Sequence, residues 1–175
     1  PASAKTLYRL AWFLDRQYTE LESSDLVQAK ADFIQYSRKQ LDSLRGASVK
    51  PQRQVERNVQ LLEAQLAIDQ EAYTRLLRDK LGYLMRLLES YLRVLQMSNE
   101  RDVVVFRFCS LWFSVHGDAD DDDLTAINVK IGPVLAAVPS HKFLPVVYQL
   151  AAKYQTLVSD GRMHALLTSL LRRLI

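Results

Sequence analysis

Residues 51–97 read PQRQVERNVQLLEAQLAIDQEAYTRLLRDKLGYLMRLLESYLRVLQM, and the spacing of their apolar positions decides the fold class. Val55, Val59, Leu62, Leu66, Tyr73 and Leu76 return at helical intervals, which lines them along one face of a 3.6-residue period. Leu77, Leu81, Leu84, Leu88, Tyr91 and Leu95 carry the stripe on, shifted by one residue. With Asp69 in an expected apolar slot, the shift fits either a bend near 69–73 or one long, gently curving helix. The reading adopted is a single long helix that changes packing partner midway. Pro51 stands where the first helical turn needs no amide donor.

Working outward, the N-terminal side repeats the helical period. Leu7, Leu10, Ala11, Leu14, Tyr18 and Leu21 predict a helix over 4–22. Ser23 and Ser24 are candidate caps for a second helix with apolar positions Leu26, Phe33, Leu41 and Leu44, stopped at Gly46 by a left-handed residue. The short gap between them predicts an antiparallel pair over 1–46.

On the C-terminal side, residues 97–102 turn the chain, and Val104, Phe108, Leu111, Trp112 and Val115 resume the helical period. The run 103–106 resembles a strand, but no second alternating run exists to pair with it. An acidic turn over 116–123 precedes an apolar stripe over 124–138, interrupted by Gly132 and Pro133. Pro139 and Ser140 break the chain again. The next helix is expected to align Leu144, Val147, Tyr148, Ala151 and Tyr154, with Pro145 tolerated only near its first turn. Ser159 or Asp160 is the candidate cap of a last helix carrying Met163, Leu166, Leu167, Leu170, Leu171 and Leu174. Its apolar pattern runs to Ile175 without a stop signal, which leads us to expect further protein beyond it.

Composition agrees with this pattern. Among 175 residues there are only 5 glycines and 5 prolines, while 49% of the residues are hydrophobic. The chain is therefore expected to be all-α: an irregular right-handed helical-repeat solenoid, similar to tetratricopeptide or HEAT repeats, of about seven or eight helices in antiparallel pairs. It divides into the helix pair 1–46, the long stretch 51–97 and an array over 101–175, as one continuous segment. The tetratricopeptide consensus itself is absent.

The 23 basic and 20 acidic residues are interleaved, and the net charge of +3 sets up no field of the kind that many nucleic-acid binders show. No direct nucleic-acid contact is expected. The single cysteine, Cys109, lies in an apolar run and cannot form an intrachain disulfide, which points to a reducing compartment. No apolar run approaches the roughly 18 residues of a membrane span, and the N-terminus has no signal-peptide order. A soluble, unexported chain without a membrane partner is expected.

Chemistry-bearing motifs are sparse. Gly46, Gly82, Gly117, Gly132 and Gly161 are each isolated, so no phosphate-cradling loop can be assembled. Kinase catalytic-loop, Asp-Phe-Gly and nucleophile-elbow patterns are missing. Cys109, His116, His141 and His164 have no zinc-ligand spacing and read as packing or surface residues. Asp118 and Asp120 to Asp123 invite a calcium-loop reading, yet Asp123 and Val129 stand where a glycine and a glutamate belong. The plainer reading is a solvated loop whose last acids favour the start of the next helix. Arg172 and Arg173 form a basic tip that the helix dipole explains as well as phosphate contact does. Trp12, Phe13, Trp112, Phe113, Phe143 and Tyr148 are expected to be packing anchors between helices rather than a ligand pocket. No catalytic, cofactor-binding or metal-ligating residue is assigned.

Three stretches add a likeness that periodicity does not supply. LAWFLDRQYTEL (10–21), FRFCSLWF (106–113) and KFLPVVYQLAAK (142–153) resemble, in order, stretches of the FAT region in the ataxia-telangiectasia mutated (ATM) family of protein kinases. The likeness is most specific in the second and third, while residues 23–98 match by pattern alone and the acidic run 118–123 departs from the family. It implies a segment of a large nuclear serine/threonine kinase, also possible in the cytoplasm, that acts at DNA double-strand breaks and telomeres. It further implies a helical scaffold that wraps and restrains the kinase domain and supports a homodimer, with a DNA-break sensor complex as a partner of the parent. ATP and magnesium would belong to the parent kinase domain, and none of their ligands lies here. An independent helical adaptor that binds partner peptides is the alternative, and an enzyme in its own right is disfavoured by the missing motifs.

Overall fold

A computed structural model describes residues 3–47, 53–118, 121–156 and 161–174. The fold is all-α, with no strand among the described residues. In chain order it comprises α1 (Ala4–Ser23), α2 (Leu26–Ala47), α3 (Arg53–Met97), α4 (Val104–Asp118), α5 (Asp121–Ala137), a 3₁₀ helix (Ser140–Val146), α6 (Val147–Thr156) and α7 (Gly161–Arg172). The expected roles of Pro51, Asp120, Ser159, Asp160 and Ile175 fall outside the described residues.

The helices distribute into two compact units, one of residues 17–82 and one of residues 1–16 with 83–175. In the first unit, Ile34 and Leu41 of α2 are buried with Leu66 of α3, and Val59, Leu62 and Tyr73 pack on them. Arg45 pairs with Glu63 across the two helices, and Arg38 reaches Gln70 once that amide is oriented to accept. As position rises along α2 its partner's falls along α3, so the two helices run antiparallel.

α3 passes without a break through Asp69 and Tyr73 as one 45-residue α-helix. Its residues up to 82 belong to the first unit and those from 83 to the second, where Leu84, Leu87, Leu88, Leu92, Val94 and Leu95 are buried.

In the second unit α4 buries Val104, Phe108, Leu111, Trp112 and Val115, the whole stripe that its spacing predicts. Around it, the 3₁₀ helix packs on α4 and α6, and α7 packs on both α5 and α6. α5 carries Pro133 in its interior, at the cost of one ladder hydrogen bond. One residue earlier, a Cβ added to Gly132 would stand 3.3 Å from Leu166 Cδ2, so the missing side chain lets α7 approach closely. Asp121, Asp122 and Asp123 occupy the first turn of α5, where the helix dipole favours negative charge.

Several local expectations are corrected. Ser23 and Ser24 do not cap α2: their hydroxyls donate back to the carbonyls of Glu20 and Leu21 and close α1 instead. Gly46 lies inside α2, and no described glycine has a positive φ, so the helix needs no left-handed stop there. The buried face of α2 runs through Ile34, Ser37 and Leu41, leaving Leu26 and Phe33 about half exposed. After Pro139 the chain winds as a tight 3₁₀ turn before α6, which rotates the inward face to Phe143, Val146 and Leu150 and turns Leu144 and Tyr148 outward.

Candidate functional site

Residues 10–16 of the first quoted stretch lie with the second and third stretches in the second unit, and charged residues of these stretches form its polar joints. From α1, Asp15 accepts two bonds from Arg107 of α4, from Nη2 at 2.7 Å and from Nε at 3.0 Å. The Tyr91 hydroxyl of α3 donates to the same carboxylate at 2.7 Å. One acidic side chain thereby ties three helices together. Burial, and then the bond to Asp15, push the Tyr91 phenol well above its ordinary pKa.

A second joint is built on a buried ammonium. Lys142, only 2% exposed, donates to the Ser98 carbonyl at 3.1 Å, to Asn99 Oδ1 at 2.7 Å and to Asp102 Oδ1 at 2.7 Å. Three acceptors match its three donors, which is what allows a lysine to be buried at all. All three belong to the segment after α3, so the lysine pins the α3–α4 connection to the 3₁₀ helix.

Between these joints lies an aromatic core. Phe108 meets Trp112 with ring centroids 5.5 Å apart and Phe143 at 6.4 Å edge-on. The Trp112 indole N–H donates to buried Asn128 Oδ1 of α5 at 2.9 Å, so the largest buried side chain is also polar-satisfied. Lys153 of α6 reaches the Phe113 carbonyl at 3.3 Å and lies over the Phe113 ring.

The basic tip is divided. Arg173 donates to the carbonyls of Leu135, Ala136 and Val138 at and just past the end of α5, where the Leu135 carbonyl also accepts the Val138 N–H at 3.2 Å. Its role is therefore to close a neighbouring helix rather than to complement its own. Arg172 remains exposed beside His164, which stacks on Tyr154 at 4.3 Å. His141 is exposed, and the His116 side chain lies outside the described residues.

Cys109 is fully buried, and desolvation pushes its thiol up to about 12. A thiol held protonated at neutral pH is a packing group, not a nucleophile. Among the described residues no group of three or more His, Cys, Asp or Glu side chains is placed to hold a metal. No helix there is long and apolar enough to cross a membrane.

Of the six aromatic residues expected to anchor packing, Trp112 and Phe143 are buried, but Trp12, Phe13 and Tyr148 are mostly exposed. Their spacing was helical, yet a second apolar face on a helix has the same period as the buried one. The joint residues Asp15, Arg107, Lys142 and Asn128 were not singled out from sequence. The available signal was a charge or amide standing inside an otherwise apolar stretch, as in Lys142 next to FLPVV.

Comparison with known proteins returns kinases of one family. The chain is 29% identical over 174 residues to the serine-protein kinase ATM of Sus scrofa, covering 97% of this chain and 5% of that protein. It is 31% identical over 159 residues to the serine/threonine-protein kinase TEL1 of Kluyveromyces lactis, covering 87% of the chain and 6% of the relative. The Arabidopsis thaliana kinase ATM matches at 30% over 86% of the chain and 4% of its own length.

The chain is a segment of the ATM family. These ATM and TEL1 kinases match the chain over most of its length, while it spans about a twentieth of theirs. No protein-family model matches the chain. No solved structure matches it.

Proposed function

We propose that this ATM-family segment is a non-catalytic scaffold of the FAT region, positioning and restraining the serine/threonine kinase domain of its parent and supporting dimerisation. The parent works in DNA double-strand-break signalling and telomere maintenance, chiefly in the nucleus. Its ATP and magnesium are held outside this segment, and a DNA-break sensor complex is its upstream partner. One observation carries the scaffold reading: Asp15, Arg107, Phe108 and Phe143, drawn from the three quoted stretches, are engaged with one another, through the Asp15–Arg107 bond and the Phe108–Phe143 contact. Catalytic residues instead converge on a cleft with unpaired, perturbed groups.

The test is parent-kinase activity with two kinds of substitution. Phe143→Ala, at a fully buried ring, should loosen the array by roughly 3–5 kcal/mol and change kinase output. Tyr148→Ala, at an 88% exposed ring, should leave the stability of the segment intact. A parent enzyme indifferent to Phe143→Ala, despite measured loosening of the segment, would contradict the scaffold role. Nucleotide turnover by the purified segment would do the same.

A further inference from the structure

We draw no further inference here: the strongest candidate, the open cleft between α6 and α7 lined by Tyr154, His164, Ser169 and Arg172, lies on the surface of a chain that spans about a twentieth of its relatives' length, and nothing in the structure shows what covers it.

Discussion

Replacing Lys142 by methionine isolates what a buried ammonium contributes to this fold. The side chain is 2% exposed and its Nζ donates to the Ser98 carbonyl, Asn99 Oδ1 and Asp102 Oδ1. Methionine has nearly the same length and volume, so little cavity forms. A hydrogen bond to a charged group contributes about 1.5–3 kcal/mol net. Asp102 is 42% exposed and Asn99 is also exposed, so both regain water when the ammonium leaves. The Ser98 carbonyl, just past the end of α3, is less able to do so. Removing the charge also relieves its own desolvation. The balance is a net loss of about 2–3 kcal/mol, or a fall in melting temperature of roughly 4–12 °C for a chain of this size. Urea denaturation followed by circular dichroism measures it directly. Asp102→Asn alone should cost less, and the double variant should show coupling of about 1 kcal/mol. If Lys142→Met matched or exceeded the parent stability, burial of the ammonium would outweigh its bonds and the joint would be no stabilising element.

Other outcomes follow from the same joints. Arg107→Met should cost about 1–2 kcal/mol, because its bond to Asp15 is only partly shielded; Asp15→Ala should cost more, since Tyr91 also loses its acceptor, and thermal melts rank the two. Cys109 has a thiol whose folded pKa is about 12 against an ordinary 9.0, so its contribution is fully present below pH 9 and lost as pH rises toward 12. Chemical denaturation across that range should fall less steeply for Cys109→Ala than for the parent chain, and identical slopes would refute the burial of the thiol. Phe143→Ala should lower segment stability by about 3–5 kcal/mol, whereas Tyr148→Ala should stay within about 0.5 kcal/mol, both read by the same denaturation curves.

The sequence by itself determined that the chain is helical, where most of its helices lie and which face of α4 and α7 is buried. That information is local: apolar residues at steps of three and four, with few glycines and prolines, specify a helix whatever it packs against. The stretches 10–21, 106–113 and 142–153 also sufficed to place it in the ATM family, as the relatives bear out. Only the tertiary structure decided which of two apolar faces turns inward on α2, where Ile34 rather than Phe33 is covered, because both faces repeat with the same period. It also decided the phase of α6, since a 3₁₀ turn containing Pro145 rotates the helix that follows. Finally it brought Asp15 to Arg107 across 92 positions and Lys142 to Asp102 across 40. Pairings at such separations depend on how whole helices stack, and no local pattern encodes the partner of a charge.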